Sequence, residues 1–391
     1  MAERAYLDWN ATAPLRAEAK AALVAALDLS GNPSSVHGEG RAARRLIEVA
    51  REQVARLTGS DPADVVFTSG GTEANALALT PFVMRGGDKT PRERLLISAI
   101  EHPSVRSGGR FPAEAVSEIP VTPKGVVDLA ALKVMLAKSV SKGGRALVSI
   151  MLANNETGVI QPVRDAADIV HEAGGLLHVD AVQGPGRIAL DVKAFGADVL
   201  TLSAHKVGGP KGVGALIRAP GIHISEPLIR GGGQERGARA GTENVTGIAG
   251  FGAAADAALR SLDADIARMR SLRDKLESDL KDTAPEVMIF GTGADRLPNT
   301  TLFALRCIKA ETAVIAFDLN GVAVSSGAAC SSGKVQPSHV LAAMGVQRAL
   351  SDGAIRVSVG PATTDSDLER FRNAWNKLSK SLLKERNGLA A

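Results

Sequence analysis

The chain has 391 residues, 45% of them apolar and 23% charged, ordinary globular values that exclude a disordered or fibrous polymer and suit two domains. Its net charge of +4 is spread among interleaved acids and bases, and aromatic residues make up only 3%, so no nucleic-acid surface is expected. Two cysteines cannot staple a fold or form a CxxC metal site, no apolar leader is visible, and stretches such as Ala21 to Leu27 are too short to span a bilayer, so a cytoplasmic protein without a metal or a membrane is expected.

In chain order, the first strong helical pattern runs from Gly38 to Leu57, where Ala43, Leu46, Ile47, Ala50, Val54 and Leu57 share one face until Gly59 stops it. Asp64 to Thr68 reads as a short buried strand, followed by the Gly70-Gly71 turn and a helix from Glu73 to Leu79. Further short strands are expected at Leu95 to Ala99, Ala146 to Leu152, Leu176 to Val179, Val199 to Ser203 and Gly214 to Ile217, with helical stretches such as Val163 to Ala173 between them. This alternation predicts an α/β layer structure on a mostly parallel sheet. From Val245 to Leu280 the chain is helix-rich, and one long helix is expected to lead into a small domain with strands at Thr300 to Leu305 and Ile355 to Val359. The predicted division is a large domain over 15–257 and a small one made of 1–14 and 258–391.

Two of these strands end in polar residues with chemical potential, LLHVDAVQ (Leu176 to Gln183) and VLTLSAHK (Val199 to Lys206). Asp180 and Lys206 are 26 residues apart, the spacing of a strand, a short crossover and a parallel neighbour. Both polar ends would then open on the sheet edge where open α/β folds bind ligands. A lysine there can form a Schiff base with an aldehyde cofactor, and pyridoxal phosphate needs a carboxylate near its ring nitrogen, which Asp180 can supply. A lone lysine is more often a surface charge and a lone strand-end Asp a cap. The pair, with Ser203 and His205 beside it, is what points to cofactor chemistry, and Gln183 is placed to hydrogen-bond the ring oxygen.

The segment Ser69-Gly70-Gly71-Thr72 between a strand and a helix start suits a phosphate, because glycines admit an anion to backbone N–H groups; as a plain N-cap, Thr72 would merely start the helix. Ser203 and His205 could donate to the same phosphate. His102 ends another strand, and its imidazole would fit over the pyridine face. Asn155 follows an apolar strand and could bind either the substrate carboxylate or the ring oxygen. Gly208 to Gly214 reads as a hairpin turn. Cys307 sits in an apolar strand and is expected to be buried. Cys330 sits among Ser, Gly and Ala from Ser325 to Gly333, a mobile loop in which a thiol can react once ionised, with Lys334 a candidate for that help. Gly327 to Lys334 has five residues between its glycines and Val335 after the lysine, and Gly231 to Gly237 lacks a strand-to-helix context, so neither reads as a nucleotide site.

The motifs SGGTEAN (Ser69 to Asn75), Glu101-His102, NNETG (Asn154 to Gly158), HVDAVQ (His178 to Gln183), SAHK (Ser203 to Lys206), GGGQERGARAGTEN (Gly231 to Asn244) and SSGAACSSG (Ser325 to Gly333) occur together in this order. The chain thereby resembles the cysteine desulfurases, the class V aminotransferase-like branch of fold-type I pyridoxal-phosphate enzymes, from Tyr6 to about Val359. The resemblance implies the PLP-dependent transferase fold: an α/β large domain on a mostly parallel seven-stranded sheet and a smaller α+β C-terminal domain carrying the catalytic cysteine loop.

It implies Lys206 as the Schiff-base lysine and proton carrier, Asp180 on the pyridine nitrogen, Gln183 on the phenolate oxygen and His102 against the ring. Gly71, Thr72, Ser203 and His205 would hold the cofactor's phosphate, and Thr242 would reach the phosphate of a partner subunit, hence a homodimer. Arg356 would form a bidentate salt bridge to the substrate carboxylate, aided by Asn155. Cys330 would take sulfur from L-cysteine, leaving alanine and a persulfide for an acceptor such as an iron–sulfur scaffold. The short cysteine loop resembles the branch serving nitrogenase or housekeeping iron–sulfur assembly. A selenocysteine lyase or another enzyme of the branch would share the cofactor site and is the alternative. Trp9 and Ala13 stand where the family more often shows Asn and Thr, in the region that shapes the site entrance.

Overall fold

The structure, a computed structural model, describes residues 4–140, 145–306, 308–327 and 337–388. Short runs of aliphatic and β-branched residues build the larger sheet, each apolar on both sides and therefore stable only when covered on both faces. In chain order its strands are β1 (Val65–Thr68), β2 (Arg94–Ser98), β3 (Val116–Ile119), β4 (Ala146–Ser149), β5 (Leu176–Asp180), β6 (Val199–Ser203) and β7 (Gly214–Arg218). They lie in the order β1-β7-β6-β5-β4-β2-β3. Strands β6, β5, β4, β2 and β3 are parallel to their neighbours in that series, whereas β7 runs against both β6 and β1. This is the expected seven-stranded, mostly parallel sheet, and the reversal at β7 follows from the expected turn after Lys206.

Alternate side chains go to opposite faces. Leu96, Val148, Leu177, Val179, Leu200 and Ile217 pack with Ile47, Ala50 and Val54 of the helix Gly38–Thr58 and with Phe251 and Ala254 of the helix Val245–Arg260. Leu95, Ile97, Leu147, Leu176, Val199 and Leu216 pack on the other face with Leu77 and Ala78 of the helix Gly71–Ala78. Each such burial is worth about 1.5–3 kcal/mol, so a one-residue slip of any strand would be heavily penalised.

A second sheet, antiparallel throughout, contains β8 (Met288–Ile289), β9 (Thr300–Ala304), β10 (Ser325–Ser326) and β11 (Ile355–Ser358) in the order β8-β9-β11-β10. Its core centres on Phe303, whose ring meets Trp375 edge-on at 5.4 Å, while Phe317 stacks on Phe371 at 5.1 Å. The amino-terminal strand Ala5–Tyr6 pairs with Val322–Ala323, so Ala5 and Leu7 are buried in this second core. The single long helix expected after Val245 is two helices, Val245–Arg260 and Leu262–Thr283. They part at Ser261, whose hydroxyl hydrogen-bonds the Ala257 carbonyl and the Asp265 carboxylate, the local competition by which serine breaks a helical run. No described helix is long and apolar enough to cross a membrane.

Candidate active site

The parallel strands end together, and the polar residues that follow them share one edge. Asp180 at the end of β5 lies opposite Thr201 of β6, and Ser203 closes β6 just before the turn Ala204–Lys206. Across from this edge stands Arg356 of β11, from the second sheet. Between them is a cavity of about 800 Å³ whose wall includes Gly71, Thr72, His102, Asn155, Asp180, Gln183, Ser203, His205, Lys206 and Arg356, residues that the sequence scatters over almost 300 positions. Thr242 lines a separate small cavity beside Glu243 and Arg239. Cys330 and Lys334, like Cys307, lie outside the described residues.

Lys206 Nζ donates to the carbonyls of Asn10 (2.6 Å) and Ala11 (2.9 Å). Burial, reinforced by the positive charges of Arg356 and Arg187, lowers its pKa to about 7, so the amine is available as a nucleophile near neutrality. His205 is pulled down to about 4, first by burial and then by Lys206, and is neutral at pH 7, with Nδ1 at 3.1 Å from the Thr12 hydroxyl.

Asp180 is held by a chain of hydrogen bonds whose polarity can be worked out. Asn75 Nδ2 donates to Asp180 Oδ2 and to the Ser104 hydroxyl, both at 2.9 Å, so its Oδ1 is the atom that accepts from Thr201 Oγ1 at 2.6 Å. With its proton spent there, Thr201 accepts from His178 Nε2, and His178 Nδ1 accepts from Ser149. Burial lowers the His178 pKa to about 4, consistent with this neutral form. On the other branch, the backbone N–H of Ser104 donates to His102 Nδ1, so Ser104 Oγ donates there too and the His102 proton sits on Nε2. One asparagine thus orients both Asp180 and His102. In the sequence Asn75 stands in the SGGTEAN motif without an assigned task; its place four residues after Gly71, on the same helical face, was the available signal.

Glu101, beside His102, is fully buried. Its Oε1 accepts from Ser98 and from the Met151 N–H, each at 2.7 Å, and its Oε2 has no partner among the described residues. Burial and the nearby Asp180 charge raise its pKa to about 8, so it is a neutral acid at pH 7.

Also on the cavity wall, the helix Gly71–Ala78 begins with three N–H groups that no helical carbonyl can reach. A Cβ on Gly71 would stand 3.1 Å from Val182 Cγ2 and 3.3 Å from Ser203 Cβ, a tight fit that glycine relieves where an anion would meet this helix end. Glu73 in the first turn does not repel an anion unaided: burial raises its pKa, but hydrogen bonds from Arg239 and Ser69 outweigh that, and the guanidinium offsets its charge. Arg356 donates to the Asn155 carbonyl (3.0 Å) and pairs with Asp8 (2.8 Å), while its buried Nε has no partner among the described residues. An acid, a low-pKa amine, an anion cradle and a carboxylate-binding guanidinium around one cavity are the donor set that pyridoxal phosphate and an amino-acid substrate require.

This fold and this cavity define a transferase of the aminotransferase type, and the "Aminotransferase class-V" family model matches residues 5–371, so the chain belongs to that family. It is 43% identical to a cysteine desulfurase of Cereibacter sphaeroides over 94% of both chains. It is 41% identical to cysteine desulfurase IscS of Dictyoglomus turgidum over 98% of this chain and 96% of that one. Among solved structures, a NifS-like protein of Rickettsia africae superposes with a TM-score of 0.87 at 37% identity, covering 97% of this chain and all of that one.

Proposed function

We infer that this chain removes sulfur from L-cysteine and carries it as a persulfide on Cys330. The protein is a pyridoxal-phosphate-dependent cysteine desulfurase, and the observation that carries this reading is the convergence of Lys206, Asp180, Gln183 and Arg356 on one cavity in a chain at least 41% identical to two cysteine desulfurases over nearly its whole length. Pyridoxal phosphate, when bound, supplies an electron sink for the pair released when a bond at the substrate Cα is broken. Lys206 would anchor the cofactor, and its amine would carry the proton at the substrate Cα. Asp180 keeps the ring nitrogen cationic, Gln183 meets the ring oxygen and His102 rests on the ring. Gly71, Thr72, Ser203 and His205 bind the phosphate. Arg356 and Asn155 hold the substrate carboxylate, and the Arg356 Nε, without a partner among the described residues, supports that assignment.

The Cys330 thiolate attacks the substrate sulfur. The S–S bond forms as the C–S bond breaks, the electron pair stays with the three-carbon remainder, and that remainder takes up a proton and leaves as alanine. No outside oxidant is needed. Ser325, which precedes the cysteine segment, lines the cavity and pairs with Arg356, which supports delivery of the thiol to this site. The reading keeps a large domain over 15–257 and a small domain of 1–14 with 258–391, supported by a hydrophobic cluster that joins Ala5 and Leu7 to residues beyond 268. A homodimer, with Thr242 serving the partner's phosphate, a sulfur acceptor such as an iron–sulfur scaffold and the reducing cytoplasm complete the reading. Cys330→Ala tests it: persulfide and sulfide formation from cysteine should fall to background while the cofactor stays bound, and sustained sulfide production would refute the acceptor role.

A further inference from the structure

Arg187 is buried at 4% exposure, yet none of the described carboxylates pairs with it. Leaving a guanidinium uncompensated in the interior costs several kcal/mol as an order of magnitude, and a fold retains such a group only where its donors do something that an apolar side chain would not. Its donors go to three oxygens. One nitrogen, Nη1, donates to the Gln183 carbonyl at 3.0 Å and to the Gln183 side-chain Oε1; the other, Nη2, donates to the Trp9 carbonyl at 3.2 Å.

The polarity of these contacts is not negotiable. Arginine has only donors, so the amide oxygen of Gln183 must face it and the amide nitrogen must face away. That nitrogen donates to the Asn10 carbonyl at 3.1 Å, and Gln183 lines the main cavity. The same Asn10 carbonyl, with that of Ala11, receives Lys206 Nζ. Arg187 therefore holds the Gln183 amide and the Trp9 carbonyl, next in the chain to Asn10, whose carbonyl receives both Gln183 Nε2 and Lys206 Nζ.

We propose that Arg187 is a positioning residue for the cofactor, holding the Gln183 amide with its N–H edge toward the ring oxygen and fixing the backbone that receives Lys206. This rests on the assignment of the cavity to pyridoxal phosphate. An N–H edge stabilises an ionised ring oxygen, whereas a turned amide would oppose its own oxygen to that charge. Both the donated hydrogen bond and the nearby positive charge weaken proton binding at the nitrogen that Lys206 contributes, so losing Arg187 should strengthen it. The lowered pKa of Lys206, to which Arg187 contributes, has the same sign.

The test is a pH titration of visible absorbance on the cofactor-loaded enzyme. Arg187→Met should raise the midpoint by about one pH unit, tenfold in proton affinity, and Arg187→Lys, which keeps the charge and a donor, should recover at least half of that shift. A folded, loaded R187M with the wild-type midpoint overturns the proposal, as does an R187K displaced as far as R187M. If R187M does not accumulate in folded form, Arg187→Gln carries the test, because it keeps a donor and loses the charge: a raised midpoint supports the proposal and a wild-type midpoint overturns it. A wild-type protein that stays colourless with added cofactor would instead defeat the assignment of the cavity.

Discussion

Glu101 and Asn75 show what the environment of a single side chain decides. Glu101 is raised to about 8 by burial next to Asp180, so between about pH 4.5 and 8 the folded protein holds a proton that the unfolded chain has released. In that window stability contributed through Glu101 falls as pH rises, and above pH 8 the cost of ionising it is fully present. Glu101→Gln keeps the shape of the neutral acid and removes the titration. The variant's thermal midpoint should decline less steeply than that of wild type from pH 5 to 9, with the variant the more stable at the alkaline end; parallel curves would contradict the neutral assignment. Neither residue's task was legible in the sequence. The Asn75 contacts with Asp180 and Thr201 span 105 and 126 positions, and which amide atom faces which partner is set only when the strands are in register. Asp180 and Lys206, by contrast, could be read because a strand-and-crossover spacing places both on one sheet edge.

At the scale of elements, the strands of the large sheet were legible wherever a short apolar run met a turn, since such runs are buried on both faces. The break at Ser261 was not, because the apolar periodicity continues across it and the serine's hydrogen bonds are local. The unusual Trp9 belongs here too. Its indole nitrogen donates to the Tyr6 carbonyl at 3.2 Å, and its ring covers Gly360, where a Cβ would fall 2.0 Å from the indole. Trp9 thus lies against the connection after β11 and away from the walls of the main cavity, which Asp8 and Asn10 line. Gly360→Ala should cost about 1–3 kcal/mol by overpacking, measured by denaturant unfolding, and Trp9→Asn should recover much of that loss in the double variant. Strictly additive effects would contradict the contact.

At the scale of the molecule, the site draws on both sheets. The first sheet presents Asp180, Ser203 and Lys206, and the second presents Arg356, 348 positions from its partner Asp8. The amino-terminal segment links the halves: Leu7 is buried in the second core, Asp8 pairs with Arg356, and the Asn10 and Ala11 carbonyls receive Lys206. Family resemblance in the sequence pointed to Asp180, Ser203, Lys206 and Arg356, but it could not show that one short segment near residue 10 touches both Lys206 and Arg356. The most direct test of the whole account is borohydride reduction of the cofactor-loaded protein followed by peptide mass mapping. A single phosphopyridoxyl group on Lys206, lost in Lys206→Ala, is expected; a protein that takes up no cofactor, or carries the reduced group on another lysine, would overturn the assignment of Lys206.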